Sequence, residues 1–322
     1  MPDKILVIGG AGYIGSHIQK ELLENGYDVV VYDNLSSGDK VNLLDGANFV
    51  EGDILNEELL NSVMSQNIEA VVHLAAKKAV DESMIRPEVY AKNNITGSLN
   101  ILNAMVNNNV KYIVFSSSAA VYGEPQYIPI DEKHPISPIN YYGYTKRAIE
   151  ENMEWYNKLG KLNFTALRYF NAVGYAKDGS IKGKERNPQN LMPIIMEAAT
   201  GKRNGFSIFG NDYNTPDGTC VRDYIHVSDL ARAHLLALIK MFDENKSYKL
   251  NLGTGIGTSV KEIVDATEKV IGKKLEYTYA PRRCGDPDTL TAKAEEAKKV
   301  LGWEPFYTNI EEIIATVWNL EI

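Results

Sequence analysis

The sequence is poor in cysteine and in long apolar runs. Only two cysteines, Cys220 and Cys284, occur among 322 residues, and their spacing suits neither a metal site nor a disulfide framework. No stretch approaches the roughly 18 apolar residues of a membrane span. The apolar run at residues 5–8 is too short for a secretory signal. These absences predict a cytoplasmic protein with reduced thiols, no metal and no membrane contact.

Positive charge is also scarce. The chain has 34 basic and 42 acidic residues, which gives a formal net charge of −8. Proteins that bind nucleic acid normally carry a basic face, so we expect no nucleic-acid partner. A chain of 322 residues is long for one compact core, and two lobes are expected.

The first half of the chain alternates short apolar runs with helical stretches. The predicted strands are residues 5–8, 29–32, 48–50, 70–73, 112–116 and 164–168, of which the last is expected to close the sheet. Helices are predicted near residues 15–24, 57–65, 87–107 and 139–159. Near-continuous apolar strands separated by helices are typical of a parallel sheet covered on both faces. The predicted fold class is therefore α/β, with a Rossmann-type doubly wound parallel sheet.

The pattern loosens after residue 170. Residues 174–187 are polar and predict a long loop, followed by shorter strands and helices. One of these helices, near residues 229–241, has Ser228 as its expected N-cap. We expect residues 1–170 to form a nucleotide-binding domain and residues 171–322 a smaller C-terminal α/β substrate domain, from which the chain crosses back to the first.

A glycine-rich turn joins the first predicted strand to the first predicted helix. Gly9, Gly12 and Gly15 are spaced Gly-x-x-Gly-x-x-Gly, with Tyr13 and Ile14 between the last two. Glycines allow a tight turn and close backbone approach to a pyrophosphate, and the helix N-terminus adds amide donors. The position of the motif favours a dinucleotide site over an ordinary tight turn.

Acidic residues follow the second and third predicted strands. Asp33 lies 21 residues after Gly12, where a carboxylate binds the adenosine ribose hydroxyls and repels a 2′-phosphate. This favours NAD over NADP. Asp53 suits the adenine amino group equally as well as a turn or helix N-cap role. Asn34 and Ile54, the neighbours of these two carboxylates, are also predicted to bind the cofactor.

A tyrosine and a lysine lie four residues apart at the start of a predicted helix. Among 19 tyrosines, Tyr142 alone has a lysine, Lys146, four residues later, and this spacing places both on one helix face. Ser118 follows the fifth strand, at the sheet edge where ligands bind in such folds. These three residues are the predicted catalytic set, and an inert pair on a helix surface is the alternative.

The residue types suit proton transfer from a sugar hydroxyl. A phenol has a pKa of about 10, and lowering it to neutrality requires about 4 kcal/mol. One ammonium group about 5 Å away supplies roughly 3 kcal/mol at an effective dielectric constant of about 20. The positive nicotinamide ring of NAD is expected to supply the rest. The sequence therefore predicts a base whose pKa is lowered, working beside a hydride acceptor.

Several segments carry a family resemblance. They are residues 9–16, 33–35, 116–123, 167–171, 190–193, 209–227 and 281–286. On these segments nearly the whole chain resembles the UDP-hexose 4-epimerases of the extended short-chain dehydrogenase/reductase family. The resemblance implies an isomerase that interconverts UDP-glucose and UDP-galactose through a 4-keto intermediate, with tightly bound NAD that is recycled. It also implies a homodimer, through the helices near residues 87–107 and 139–159.

The resemblance further implies roles for individual residues. Lys78, Asn93 and Phe170 would help Tyr142 and Lys146 to hold NAD. Ser118, Tyr142, Asn171, Asn190 and Leu191 would contact the UDP-sugar. Phe209 would face the uracil ring, Arg222 and Arg283 would bind the diphosphate, and Asp286 would bind the uridine ribose. Planar guanidinium groups suit a diphosphate well.

Three alternatives remain at this point. Leu290 falls beside the implied hexose site, where its intermediate size allows some turnover of UDP-GlcNAc and UDP-GalNAc, or else it simply packs. A related nucleotide-sugar epimerase or dehydratase would use the same tyrosine and lysine, but residues 118–120 offer no carboxylate for a dehydratase. A non-catalytic NAD-binding sensor is the reading from a different class, and such proteins tend to lose the Tyr/Lys pair.

Overall fold

The computed structural model describes residues 3–184, 190–283 and 286–321. The strands are β1 (Lys4–Ile8), β2 (Asp28–Asp33), β3 (Ala47–Glu51), β4 (Ala70–His73), β5 (Tyr112–Ser116), β6 (Asn163–Tyr169), β7 (Asn171–Val173), β8 (Phe206–Phe209), β9 (Val221–His226), β10 (Tyr248–Leu252), β11 (Gly257–Ser259), β12 (Tyr277–Ala280) and β13 (Thr289–Leu290). The α-helices are α1 (Tyr13–Glu24), α2 (Glu57–Met64), α3 (Val80–Ile85), α4 (Pro87–Tyr90), α5 (Gly97–Asn107), α6 (Tyr141–Lys158), α7 (Leu191–Ala199), α8 (Val227–Glu244), α9 (Val260–Ile271), α10 (Glu295–Leu301) and α11 (Ile310–Trp318). Within these ranges, no helix has the length and apolar character needed to span a membrane.

The large sheet takes seven of the described strands, and every pairing in it is parallel. Its order is β3-β2-β1-β4-β5-β6-β10. The first six strands follow the order of a dinucleotide-binding Rossmann fold. The predicted α/β class and doubly wound parallel sheet are therefore confirmed.

The sheet does not end at β6, contrary to the expectation from the sequence. β10 pairs with β6 over its whole length, from Tyr248 opposite Thr165 to Leu252 opposite Tyr169. The central residues of β6 are buried, so the backbone groups along its outer edge need partners, and β10 supplies them. The apolar pattern of residues 248–252 predicts a strand but carries no information about which strand it joins.

Two apolar layers cover the sheet. One joins α1 and α8 to the strands through residues such as Ile18, Leu22 and Leu238. The other joins α2, α5 and α6 through Leu60 and Ile149, among others. All these side chains are almost fully buried, and burying each is worth about 1.5 to 3 kcal/mol. This packing fixes the helices relative to the strand ends that form the site.

The predicted helix near residues 87–107 is interrupted. Between α4 and α5 the structure has a π-helical turn, Ala91–Thr96, and the short helix α3 precedes α4. The buried side chain of Asn94 lies in this turn, where it binds both backbone groups of Lys77 and the hydroxyl of Thr145. Widened turns of this kind often occur at functional sites. Here the turn ties the loop after β4 to α6.

The N-cap expected at Ser228 is wrong. Helix α8 begins at Val227, and its cap is His226, whose imidazole accepts a hydrogen bond from the backbone N–H of Ser228. Serine is the commoner cap, but here the chain turns one residue earlier and buries His226 against Tyr307. By contrast, Ser259 caps α9 with a full capping box, in which the Ser259 hydroxyl accepts from the backbone N–H of Glu262 and the Glu262 carboxylate accepts from the backbone N–H of Ser259.

These two serines give a stability prediction. Ser259→Ala removes the cap of α9, and we expect the free energy of unfolding to fall by about 1 kcal/mol. Ser228→Ala is the matched control, because only the backbone of Ser228 takes part in its cap. Urea denaturation of both variants measures the difference. Equal losses in the two variants would contradict the assignment of the caps.

Candidate active site

A cleft of about 440 Å³ opens at the carboxyl edge of the large sheet. Because the strands are parallel, the loops that follow β1, β2, β4 and β5 meet at this edge. The predicted residues that line the cleft are Gly9, Gly12, Tyr13, Ile14, Gly15, Asp33, Asn34, Ile54, Lys78, Asn93, Tyr142, Lys146 and Asn190. The glycine turn and the Tyr/Lys pair therefore share one cavity.

The glycine turn leaves no room for side chains. A Cβ on Gly15 would lie 2.4 Å from the carbonyl oxygen of Gly9, and one on Gly9 would lie 2.7 Å from the backbone nitrogen of Ala75. Gly9 also has a φ of 86°, which L-residues rarely adopt. At Gly12, the N-cap of α1, no side chain caps the helix, so its first amides face the cleft. The turn thus fits a pyrophosphate.

The carboxylate of Asp33 closes the end of β2. One of its oxygens accepts a hydrogen bond from the backbone N–H of Ala11 at 3.0 Å, and the other from that of Leu35 at 2.8 Å. Burial raises the pKa of Asp33, and these two hydrogen bonds act in the opposite direction. Asp33 therefore braces the glycine turn as well as lining the cleft.

The structure resolves the two readings of Asp53 in part. One carboxylate oxygen accepts from the backbone N–H of Leu55, which makes Asp53 a turn residue. The other accepts from the side chain of Asn34 at 2.8 Å, at the ends of neighbouring strands. The cap of α2 is Asn56, so Asp53 does not serve as the N-cap.

Tyr142 and Lys146 lie in the first turns of α6 and face the end of β5. The Nζ atom of Lys146 is 5.9 Å from the centre of the Tyr142 ring and donates a hydrogen bond to the carbonyl of Ser116 at 2.7 Å. A side-chain hydrogen bond joins Ser118 to the Tyr142 phenol. The three predicted catalytic residues are therefore together.

The pKa values of Tyr142 and Lys146 differ from those expected from the sequence. Burial raises the pKa of Tyr142, and the hydrogen bond from Ser118 only partly opposes this effect. Burial also lowers the pKa of Lys146 to about 7, although Glu150 favours its charged form. The predicted lowering of the phenol pKa is therefore wrong for the protein alone. A dry site disfavours phenolate and ammonium alike, and burial cannot be read from the spacing of two residues.

A second predicted group of residues assembles apart from the cavity lining. The guanidinium of Arg283 lies 4.2 Å from the centre of the Phe209 ring. Arg222 donates to the backbone carbonyls of Val221 and Pro287 and pairs with Asp286 at 3.3 Å. The sequence links these residues only through motifs, and β8, β9 and the segment before β13 bring them together. The result is a cationic group beside an exposed aromatic ring.

Leu290 lies between the predicted catalytic residues and the cationic group that contains Arg222. Its backbone pairs with Arg222 through β13 and β9. Its side chain packs in a small apolar cluster with Tyr122, Ile130 and Phe170. Tyr122 ends the turn that begins at Ser118, so Leu290 lies between the cationic group and the predicted catalytic serine. Asn171 in β7 and Leu191 in α7 begin the elements that frame this region.

A strap formed by residues 174–184 crosses the first turns of α1. The phenol of Tyr13 donates to the carbonyl of Gly174, and the backbone N–H of Ala176 donates to His17 at 3.1 Å. Lys20 and Asp178 add an ion pair at 2.6 Å. The end of the strap, at Lys184, lines the cavity. The rest of the predicted loop, residues 185–187, lies outside the described residues.

The family follows from a match that spans this whole arrangement. A sequence model described as the NAD dependent epimerase/dehydratase family matches residues 5–253, which include the glycine turn, Tyr142 and Arg222. The chain belongs to the NAD dependent epimerase/dehydratase family. The predicted cofactor, NAD, is thereby confirmed.

Several members of this family are similar to this chain over nearly their full length. A UDP-glucose 4-epimerase of Lactobacillus helveticus is 48% identical over 318 residues, which cover 98% of this chain and 96% of the relative. The UDP-glucose-4-epimerase from Stenotrophomonas maltophila, solved with NAD and formylated UDP-arabinopyranose, has a TM-score of 0.95 at 39% identity, covering 99% and 98% of the two chains. The UDP-Glc/GlcNAc 4-epimerase from Campylobacter jejuni has a TM-score of 0.86 at 37% identity, covering 99% of both chains.

Some lining residues of this family member were missed by the sequence analysis. Apart from the predicted Lys78, the loop after β4 lines the cavity with residues 74–77 and Ala79, as do Glu82, Tyr90 and Tyr169. The loop has a detectable signal, since it follows a buried strand at the carboxyl edge. Tyr90 has none, because α4 and the π-helical turn bring it in. Within the described ranges, no cluster of three His, Cys, Asp or Glu side chains is placed to hold a metal.

Proposed function

We propose that this family member inverts C4 of UDP-hexoses and so interconverts UDP-glucose and UDP-galactose, as an isomerase of galactose metabolism. The observation that carries the proposal is the placement of Tyr142 and Lys146 in the same cleft as the glycine turn, with Ser118 hydrogen-bonded to Tyr142. Full-length similarity to UDP-glucose 4-epimerases supports it. A sensor or scaffold protein has no need for this proton-transfer set, and the turn after Ser118 offers no carboxylate for a dehydratase.

The cleft residues are proposed to hold NAD along its length. The amides of the glycine turn, with Tyr13 and Ile14, bind the pyrophosphate, and Asp33 binds the adenosine ribose. Asn34, Asp53 and Ile54 surround the adenine. Lys78, Asn93 and Phe170, with Tyr142 and Lys146, hold the nicotinamide end. Lys184, at the end of the strap, also lines the cleft, and NAD is proposed to be retained there rather than exchanged at each turnover.

The catalytic residues are proposed to move one proton out and back. When bound, NAD accepts and returns the C4 hydride, and its positive ring favours the ionised phenol. Tyr142 takes the proton of the 4-hydroxyl and Ser118 hydrogen-bonds to the same oxygen. Lys146 stabilises the phenolate. After the 4-keto sugar has turned about its link to the diphosphate, hydride would return to C4 and Tyr142 would give its proton to the C4 oxygen, which forms the new 4-hydroxyl.

The cationic group is proposed to grip the UDP portion while the hexose turns. Phe209 faces the uracil ring, Arg222 and Arg283 bind the diphosphate, and Asp286 binds the uridine ribose. Asn171, Asn190 and Leu191 contact the rest of the substrate. The ion pair between Arg222 and Asp286 holds both side chains in place before the diphosphate arrives. Firm contacts to uridine and phosphate leave the sugar itself free to rotate.

The domains are proposed to divide near residue 170. Residues 1–170 supply the NAD site, and residues 171–322 mainly supply the UDP-sugar site. Two contacts support a chain that crosses back to the first domain, since α8 packs on α1 and β10 extends the large sheet. A cytoplasmic location is also proposed. Cys220 is buried with a free thiol, as a reducing compartment allows, and Cys284 lies outside the described residues.

Expressed protein tests the function directly. We expect purified chain to convert UDP-galactose to UDP-glucose without added NAD, in an assay coupled to UDP-glucose oxidation. Tyr142→Phe should lower kcat about a thousandfold, because general acid–base catalysis is lost, while the protein still carries its NAD. Released nucleotide measured after denaturation gives the NAD content. Near wild-type turnover by the variant, or a wild-type protein free of NAD, would contradict the proposal.

Larger sugars are a second proposed substrate class. Leu290 is only half-buried and intermediate in size, which leaves some room beside the hexose for a 2-acetamido group. We expect measurable turnover of UDP-GalNAc. Leu290→Tyr should reduce that turnover about tenfold or more, with little change for UDP-galactose, because overpacking excludes the larger group. No detectable activity of the wild-type chain on UDP-GalNAc would end this idea.

A homodimer through α5 and α6 is also proposed. Trp155 on the outer face of α6 and Leu159, the residue that caps this helix, are 61% and 65% exposed and lie four residues apart, so they form an adjacent apolar pair. We expect sedimentation to give twice the chain mass, and Trp155→Glu to halve it. Phe306→Glu is the control, because Phe306 is 79% exposed on another surface. Dissociation in both variants, or in neither, would argue against this interface.

A further inference from the structure

A buried ion pair lies directly behind the catalytic residues. Glu150 and Arg168 have almost no solvent exposure. They form a two-pronged contact, with Arg168 Nε donating to Glu150 Oε1 at 2.9 Å and Nη2 donating to Oε2 at 2.6 Å. Such geometry is strong, but a buried pair does not by itself add stability. The position of this ion pair behind the catalytic residues therefore points to a role other than stability.

Glu150 faces the same region as Lys146. The two residues are four apart on α6, one turn of the helix, so their side chains lie on one face. Glu150 also accepts a hydrogen bond from the hydroxyl of Ser117 at 2.6 Å. Ser117 lies between Ser116, whose carbonyl holds Lys146, and Ser118, which binds Tyr142. One carboxylate therefore contacts the segment that positions both catalytic partners.

We propose that Glu150 is a positioning residue for proton transfer, which fixes the serine segment through Ser117 and keeps the side chain of Lys146 charged. This inference rests on the proposed function. Arg168 holds the carboxylate in place, and its Nη1 donates to the hydroxyl of Tyr122 at 3.0 Å. Tyr122 in turn donates to Asn251 of β10 at 2.6 Å. This hydrogen-bond network thus joins α6 to β6, to β10 and to the segment that follows β5.

Among the residues that the structure describes, the other titratable groups next to Lys146 carry no compensating charge. On β4, burial and the nearby Lys146 lower the pKa of His73 to about 3. On α8, burial lowers the pKa of His234, which binds the hydroxyl of Ser116, to about 4. On β6 and α6, burial raises the pKa values of Tyr169 and Tyr142. All four are neutral at neutral pH, so Glu150 and its partner Arg168 set the local field.

The direction of the electrostatic effect follows from this arrangement. Burial lowers the pKa of Lys146 to about 7 even though the charge of Glu150 acts in the opposite direction. Without the carboxylate, Lys146 would lose its proton at lower pH. Without Arg168, the unpaired carboxylate would favour the ammonium more strongly, and Lys146 would keep its proton to higher pH. The two partners of one ion pair therefore have opposite effects on Lys146.

The test compares the pH dependence of kcat in Glu150→Gln and Arg168→Met. Glutamine keeps an oxygen that can accept from Ser117, so the first variant chiefly removes charge. We expect kcat of Glu150→Gln to fall with rising pH about one pH unit earlier than wild type. Arg168→Met should show the fall at higher pH. KM for UDP-galactose should hardly change in either, because the uridine contacts are remote.

If Glu150 and Arg168 had only a structural role, both substitutions would change the pH profile of kcat in the same way. Displacement of the two profiles in the same direction, or no displacement, would overturn the inference. If either single variant fails to fold, Glu150→Gln/Arg168→Met removes both charges, and its fall should still come at lower pH than wild type. An unchanged profile there would also overturn it. Absence of epimerisation by the wild-type chain would instead contradict the proposed function, so the two failures are distinguishable.

Discussion

The parallel direction of all seven strands in the large sheet is the constraint on which the rest of the site depends. Parallel pairing sends every carboxyl end to one edge, so the glycine turn, Asp33, the serine segment and Tyr169 meet without any special folding of the loops. It also requires a helical crossover after most strands, and these helices bring Tyr142 and Lys146 back to the same edge. Residues far apart in sequence become neighbours for a purely geometric reason.

Much of this could be predicted from the sequence because the signals are local. Strands buried on both faces appear as short apolar runs, and the glycine turn and the Tyr/Lys spacing each lie within seven residues. The pairing of β10 with β6, the contact of Asn94 with Thr145 and the bond from Ser117 to Glu150 join distant segments. No periodicity marks such contacts. The pKa of Tyr142 could not be predicted from the sequence, because the burial of its side chain depends on those distant segments.

The three serines at the end of β5 show how a polar site is kept rigid where little water is present. Ser116 binds His234 through its hydroxyl and Lys146 through its carbonyl, Ser117 binds Glu150, and Ser118 binds Tyr142. Consecutive residues of an extended segment point to opposite sides, so the hydroxyl of Ser116 meets α8 whereas that of Ser117 meets α6. Polar groups that are fully paired in this way resist rearrangement. The reacting groups are therefore placed before any ligand arrives.

The late arrival of β10 matters for how the chain is made. A ribosome releases the first six strands well before residues 248–252, so β6 leaves one edge open during synthesis. Over that interval Tyr122 lacks Asn251, and the guanidinium of Arg168 sits in an incomplete core. An open edge of this kind invites pairing with another nascent chain. Chaperone demand should therefore be greatest in the window between β6 and β10.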